Sequence, residues 1–290
     1  MQNKLVSIII VNWNGYEDTF KCIESLQNLD YHNYNIILVD NNSSEPIDDI
    51  LFHFPNVNLV KNKENLGFAG ANNIGIQIAL ENEADYIWLL NNDTIVKSDS
   101  LSTMISCIST NESIGIVCPK IYYYDNPEVI WYGGGVISWA RGTTLHLGMM
   151  KNNSPLDNEE FPEVNFATGC SMLIKKQLIL DVGLMNEDYF LYFEDTDFCC
   201  KTIKSGYKVV YNSNSIIWHK VSASTSKNAI KDYYFTRNNL YFMVKHAPKI
   251  YYLLFVPFFL KRNMRYLSWL LFKKNTLLII KKLKHFIKVY

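Results

Sequence analysis

The sequence predicts an α/β fold, a mostly parallel sheet with helices on both faces, extended by a basic, apolar helical tail. Three observations carry that reading. Residues 1–120 alternate short β-branched apolar runs with segments of helical periodicity, the rhythm of a parallel sheet. The 290 residues are 48% hydrophobic and 19% charged, which suits a sizeable core and excludes a disordered chain. The formal charge of zero is unevenly spread. Eleven of the 28 Lys and Arg, and none of the 28 Asp and Glu, lie in 241–290, so residues 1–240 hold 17 basic against 28 acidic groups. That split predicts a folded domain over 1–240 and a tail over 241–290 with a different partner.

The elements follow in order. Leu5–Val11 is nearly continuous in apolar residues, as a strand buried on both faces must be. Tyr16–Leu29 places Phe20, Ile23 and Leu26 at helical spacing; Asn35–Asp40 is a second buried strand, Ile47–Phe54 a short helix closed by Pro55, and Val57–Val60 a third strand. Phe68–Leu80 reads as a helix, Tyr86–Leu90 as a strand, Ser98–Ser109 as a helix and Ile114–Val117 as a fifth strand. Beyond Pro119 the pattern loosens: Trp131–Arg141 carries three consecutive glycines and Lys151–Glu163 is a polar stretch expected to be a mobile loop. Ser171–Ile174 is a strand, Glu194–Ser205 a helix stopped by Gly206, Lys208–Tyr211 and Ile216–His219 short strands, and Asn228–Val244 a long helix.

The six cysteines include no CxxC pair and no zinc-type spacing with histidine, which points to a reducing compartment. The N-terminal apolar run is too short for a signal peptide, and the longest one in the tail, Ile250–Leu260, is interrupted by Pro257, so a cytoplasmic protein that at most lies on a membrane is expected.

In an open parallel sheet, ligands gather at the carboxyl ends of the strands. Those ends carry Asn12-Trp13-Asn14-Gly15, Asp40-Asn41-Asn42-Ser43-Ser44, Asn65–Gly75 with three glycines, and Asn91-Asn92-Asp93-Thr94. Each cluster alone is ordinary turn and cap chemistry. Four in succession at one edge point to a binding site. No GxGxxG follows the first strand and no GxxxxGK[ST] occurs, so a dinucleotide fold or P-loop is disfavoured. Asp40 suits a base or ribose, and Asp93 is a hard oxygen ligand for Mg²⁺ or Mn²⁺ shared with a diphosphate.

Farther along, Glu194, Asp195 and Asp197 follow the apolar run Tyr189–Phe193. Acidic residues are favoured at a helix start by the dipole, which accounts for one or two of them. Three beside an apolar wall are expected to raise one another's pKa and furnish a general base. His219 stands between an aromatic strand and a polar loop, a weak ligand candidate by itself.

Together these residues resemble glycosyltransferase family 2, the inverting enzymes on the Rossmann-like GT-A fold, and within it the rhamnosyltransferase-like subgroup. The matching pieces are SIIIVNWNG (7–15), ILVDNNSS (37–44), ENLGFAGANNIG (64–75), WLLNNDT (88–94), ATGCSMLIKK (167–176), FLYFEDTDFC (190–199) and WHKVSAST (218–225), in order over residues 5–240. The resemblance implies that Val11, Asn12 and Trp13 line the base pocket, Asp40 holds the base, Asn72 and Asn73 lie near the ribose and diphosphate, and Asn92 also belongs to the nucleotide-sugar site. It implies a divalent cation, Mg²⁺ or Mn²⁺, on Asp93 with His219 as a second ligand. Asp195 matches the catalytic base, with Glu194 and Asp197 positioning it or the acceptor, and Thr168, Gly169 and Cys170 fall where acceptor and donor sugar meet. One departure is Asn91, where many relatives place Asp; its carbonyl can ligate a cation but brings no charge.

The implied partners are a nucleotide-diphosphate sugar donor, dTDP-rhamnose or another UDP- or dTDP-hexose, and a glycan or lipid-linked glycan acceptor in cell-surface polysaccharide synthesis. A non-catalytic sugar-nucleotide-binding protein would tolerate the first 94 residues but has no need of Glu194–Asp197. The tail, with apolar stretches Ile250–Leu260 and Tyr266–Phe272 set among lysines and arginines, fits amphipathic helices on an anionic membrane surface, or helices packed on the domain or on a second copy in a homo-oligomer. Nucleic acid is not expected as a partner, because the acidic body repels it.

Overall fold

The computed structural model describes residues 4–221 and 229–272. The chain runs β1 (Val6–Asn12), α1 (Tyr16–Leu26), β2 (Tyr34–Asp40), α2 (Ile50–His53), β3 (Val57–Lys61), α3 (Gly67–Glu81), β4 (Tyr86–Asn91), β5 (Thr94–Val96), α4 (Ser100–Ile108) and β6 (Ile114–Tyr123). It continues with β7 (Ile130–Tyr132), β8 (Gly135–Ser138), β9 (Thr143–His146), β10 (Glu163–Val164), β11 (Ser171–Lys175), α5 (Lys176–Val182), α6 (Glu194–Lys204), β12 (Lys208–His219), α7 (Ala229–His246) and α8 (Tyr252–Phe272).

The main sheet has the order β10-β12-β6-β11-β4-β1-β2-β3, with β5 paired to β12 and β7 to β6. β3, β2, β1 and β4 are mutually parallel. β11 is inserted antiparallel between β4 and β6, and β12 runs parallel to β6. The pleat of β1 sorts its side chains: Ile8 and Ile10 join a buried cluster with Cys22, Ile23 and Leu26 of α1 and Leu101 and Met104 of α4. Ile9 faces α3, where a Cβ on Gly75 would sit 2.5 Å from its Cγ2, so glycine sets that close approach of helix to strand.

Several expectations change. The fifth strand continues through Pro119 to Tyr123, carried by its pairing with β12, whose register shifts just after the Asn212–Pro119 pair. The two short strands expected over 208–219 are one strand along β6, with a register shift between Asn212 and Ile216. Part of the loosely patterned stretch after Pro119 forms β7, β8 and β9, the last two a separate two-stranded sheet. The polar loop 151–163 is pinned rather than free: Asp157 takes Lys120 Nζ at 2.8 Å, the Tyr211 hydroxyl at 3.0 Å and the Ser154 amide at 2.9 Å.

The chain divides into two compact units, residues 1–137 with 144–246, and residues 138–143 with 247–290. The boundary expected after residue 240 falls inside α7, and the first unit keeps that helix to its end. In the second unit α8 contains Pro257, and the Phe255 and Phe259 rings pack tilted by 47° with centroids 5.5 Å apart. The lysines expected along 273–290, and the side chains of 265–272, lie outside the described residues.

Candidate active site

Strand register assembles one edge. β1, β2 and β4 end together, Asn12 opposite Asp40 and Val11 opposite Asn91. Because β11 is antiparallel, it delivers the residues before it, Thr168–Cys170, to that same edge; Ser171 pairs with Leu90, and the Asn91 amide donates to the Cys170 carbonyl at 2.9 Å. β12 brings His219 there too. The connection that matters is β5, a three-residue strand missed in the sequence because it is too short for a period: its pairing of Thr94 with His219 sets Asp93 beside the imidazole.

A cavity of about 240 Å³ opens at this edge, lined by Val11, Trp13, Phe68, Asn72, Leu90, Asn91, Asn92 and Asp93. Trp13 is 58% exposed at its rim, a flat apolar face of the kind on which a base can stack. A cavity of about 270 Å³ at the opposite end of β2 and β3, among Gln27, His32, Tyr34, His53 and Val57, is lined by no carboxylate and is remote from this chemistry.

Asn12 and Asp40 are buried just behind the cavity and brace the strand ends. Asn12 Nδ2 donates to Asp40 Oδ1 at 2.8 Å and to Ser43 Oγ at 3.0 Å, while its Oδ1 accepts from Thr19 Oγ1 at 2.9 Å. Asn92 Nδ2 donates to Thr19 Oγ1 at 2.9 Å, tying the fourth strand end to the first. Of the two adjacent asparagines on α3, Asn72 lines the cavity. Asn73, about 100° around the helix, turns away: its amide donates to Met185 O at 2.9 Å and Glu187 Oε1 at 2.8 Å, and its Oδ1 accepts from Met185 N at 3.0 Å. The structure thus places Asn73 outside the group expected at the diphosphate.

His219 Nε2 lies 3.1 Å from Asp93 Oδ1. Burial alone would lower the His219 pKa; the Cys170 sulfur and the Asp93 carboxylate push it up to about 10. Burial holds the Cys170 thiol above its ordinary value. At that pKa the pair is an imidazolium and a carboxylate at neutral pH, so a divalent cation taking its remaining ligands from a diphosphate would bind there in exchange for the His219 proton. Among the described residues no group of three or more His, Cys, Asp or Glu could hold a metal alone.

Asp195 is partly exposed at the start of α6. Its Oδ2 accepts from the Gly169 amide at 2.9 Å, and its Oδ1 from the Thr196 amide at 2.6 Å and the Thr196 hydroxyl at 3.0 Å. Gly169 joins it to the cavity: a Cβ there would be 2.9 Å from the Phe68 ring and 3.5 Å from Asp195 Cβ. Asp93 and Asp195 therefore flank the same segment, Thr168–Cys170. Burial raises the Asp195 pKa against those hydrogen bonds. Glu194 is buried, its Oε2 has no hydrogen bond among the described residues, and burial followed by the Asp195 charge holds its carboxyl well above the usual range. Of this pair the proton belongs on Glu194, since three donors favour the Asp195 anion and none serves Glu194 Oε2.

Asp197 departs from expectation. It is 0% exposed, and its Oδ1 accepts from the Tyr189 hydroxyl at 3.0 Å and meets Lys245 Nζ at 2.8 Å and His246 Nε2 at 2.6 Å. Burial opposes its charge, but His246 and Lys245 outweigh that and lower its pKa, the reverse of the mutual raising expected of three carboxylates. Two residues apart on a helix are about 200° apart, so Asp197 points at α7 and not toward an acceptor; that phase was the available signal. The sequence reading also passed over Arg237 and Asn238 of α7, whose side chains hold the backbone ahead of Glu194. A run of four polar residues, Thr236–Asn239, between the aromatic stretches Tyr233–Phe235 and Tyr241–Phe242 was the only hint.

The glycosyl transferase family 2 sequence profile matches residues 7–183. The chain is 26% identical over 219 residues to the rhamnosyltransferase WbbL of Escherichia coli strain K12, covering 71% of this chain and 80% of the relative. It is 23% identical over 256 residues to the dTDP-rhamnosyl transferase RfbF of Shigella flexneri, covering 85% and 82%. Its fold matches the crystal structure of GalNAc-T7 with UDP, GalNAc and Mn²⁺ at a TM-score of 0.61 and 18% identity, over 74% of this chain but 43% of that one. With the profile spanning more than half of the sequence, the chain belongs to glycosyl transferase family 2 and is a glycosyltransferase.

Proposed function

We propose that the enzyme is inverting and moves rhamnose from dTDP-rhamnose to a hydroxyl of a glycan or lipid-linked glycan in cell-surface polysaccharide synthesis. The observation that carries the chemistry is the hydrogen bond from Gly169 N to Asp195 Oδ2, which sets a carboxylate of raised pKa against the segment bordering the cavity. The similarity to WbbL and RfbF supports the sugar. The donor's base stacks on Trp13, its diphosphate lies toward Asn72, Asn91 and Asp93, and the acceptor hydroxyl approaches from the side of Asp195. Asp195 takes the hydroxyl proton as the oxygen forms its bond to the anomeric carbon; the bond to the diphosphate oxygen breaks, and the nucleoside diphosphate leaves from the opposite face. Glu194, holding its proton, keeps a second negative charge away from the pair. Asp93 and His219 hold a divalent cation, Mg²⁺ or Mn²⁺, which when bound supplies neutralisation of charge on the leaving diphosphate; the Mn²⁺ of the GalNAc-T7 structure supports a divalent cation in general.

We place the enzyme on the cytoplasmic face of an anionic membrane, held by 241–290. No helix among the described residues is long and apolar enough to cross a membrane. Ile250, Leu253, Leu254 and Val256 are exposed, with Leu253 at 73%, alongside Lys249 and Lys261. That pairing of bare apolar side chains and cations supports surface binding. The test is a donor panel of dTDP-rhamnose, dTDP-glucose, UDP-glucose and UDP-GalNAc with Mn²⁺, read by release of nucleoside diphosphate and by the anomeric configuration of the product. Release from dTDP-rhamnose with inversion is expected. Preference for a UDP-hexose would overturn the donor, and retention the mechanism.

A further inference from the structure

The backbone just before the acid pair is strained. Phe190, Tyr192 and Phe193 have φ of 61°, 70° and 75°, three L-residues within four positions in a region they rarely adopt. Phe193 is also the residue from which α6 starts, and Asp195 is two positions on. Such a conformation persists only where surrounding groups impose it.

One side chain does most of this. Asn238 of α7 is fully buried, and its Nδ2 donates to the carbonyls of Tyr189 at 2.7 Å, Leu191 at 2.8 Å and Tyr192 at 2.9 Å. An amide NH₂ has two hydrogens, so one is shared between two carbonyls. The direction of the amide is fixed as well: Arg237 Nε donates to Asn238 Oδ1 at 2.8 Å, leaving only the nitrogen to face the loop. Arg237 Nη2 adds bonds to the Asp188 carbonyl and, at 3.3 Å, to that of Tyr189. On the far side of Glu194–Asp195 the same helix supplies Lys245 and His246 to Asp197. Helix α7 thus grips the chain both before and after the acid pair, without any of these four side chains touching Asp195.

We propose that Asn238, oriented by Arg237, is a positioning residue for the catalytic carboxylate: it holds 189–193 in the left-handed turn that aims Asp195 at Gly169 and the acceptor. The proposal rests on the reading of Asp195 as the base. Removing the amide lets 191–193 relax toward ordinary φ values and swings the start of α6, while the Phe190 carbonyl keeps its bond from the Phe68 amide and the cavity residues on β1, α3 and β4 stay in place.

The test uses the full chain as wild type, Asn238→Ala, Asp195→Asn and the double variant, with turnover of dTDP-rhamnose and binding of dTDP measured on each. For Asn238→Ala we expect kcat to fall roughly 10–100-fold, as a misplacement of about 1 Å does, with the dTDP Kd about unchanged. In the double variant we expect no loss beyond that of Asp195→Asn, since Asn238 acts only through that carboxylate. Retained kcat, a loss that appears in the Kd, or a double variant slower in proportion to both single losses would overturn the proposal. Wild-type turnover in Asp195→Asn would instead remove the base assignment, whatever Asn238→Ala does. Should Asn238→Ala fail to fold, Arg237→Gln, which frees the amide's orientation and leaves it in place, is expected to lower kcat at unchanged Kd; full kcat there refutes the proposal.

Discussion

Gly67→Ala tests how the donor side of the site is locked to the loop that precedes the acids. Gly67 has a φ of +71°, and a Cβ added there would lie 2.3 Å from the Phe190 carbonyl oxygen and 2.6 Å from its ring. That carbonyl cannot retreat cheaply, because it accepts from the Phe68 amide at 2.7 Å. On the other side, Asn41 Nδ2 donates to the Gly67 carbonyl at 3.1 Å, so the glycine is held from both directions. The left-handed conformation costs an L-residue ~1–2 kcal/mol, and forced repacking adds ~1–3 kcal/mol. The total of roughly 2–5 kcal/mol corresponds to a Tm lower by about 4–20 °C at ~2–4 °C per kcal/mol for a unit of this size. Gly206→Ala is the control: its φ is +85°, with nothing within 4 Å of an added Cβ, so only the conformational cost of ~1–2 kcal/mol applies. Thermal and urea unfolding of both variants should separate them by the repacking cost. Equal destabilisation would show that Gly67 is not wedged against Phe190.

Three further outcomes follow from the charges. Asp197→Asn should destabilise by ~1.5–3 kcal/mol at neutral pH, toward the low end because Lys245 keeps contact with water. Since the folded pKa of Asp197 is depressed, its contribution is present above the unfolded value near pH ~4 and is lost as pH falls through the folded value, so denaturation curves of variant and wild type should converge in acid. Glu194→Gln has the opposite sign. Its folded pKa is raised, so its favourable contribution exists below the unfolded value near ~4.3 and is lost as pH rises; the variant should melt above wild type at pH 7 and lose that advantage in acid, and a lower melting point at pH 7 would contradict the buried protonated carboxyl. Mn²⁺ should tighten dTDP binding to wild type and not to Asp93→Ala, by calorimetry with and without chelator; equal tightening would move the cation away from Asp93.

The parallel half of the sheet was legible because its strands are buried on both faces and so carry unbroken apolar runs, as in Ile8–Ile10 and Ile36–Val39. Where a strand is three residues long, as in Thr94–Val96, or is prolonged by pairing with a distant neighbour, as in Lys208–His219, no local pattern encodes it. In the site, residue types singled out Asp93 and Asp195 as candidates, since a lone carboxylate after a buried strand or an acidic cluster after an apolar run is chemically conspicuous; His219 was a weak candidate by itself, and the β5 pairing is what sets it beside Asp93. What residue type could not reveal is direction. Asn72 and Asn73 are the same amide with opposite duties, one at the cavity and one tied to Met185 and Glu187. Asp195 and Asp197 differ in the same way: one accepts from Gly169 at the edge of the site, the other is sealed among Tyr189, Lys245 and His246. Asn238 stayed hidden because its work is done on the backbone carbonyls of a turn almost fifty positions away.

The most direct test of the central claim is the turnover of Asp195→Asn beside its affinity for dTDP. The substitution keeps the shape of the side chain and removes its capacity to take a proton. A fall in kcat of roughly 10²–10⁴-fold with dTDP bound as in wild type is the expected result for a general base; sugar transfer at close to the wild-type rate would contradict it.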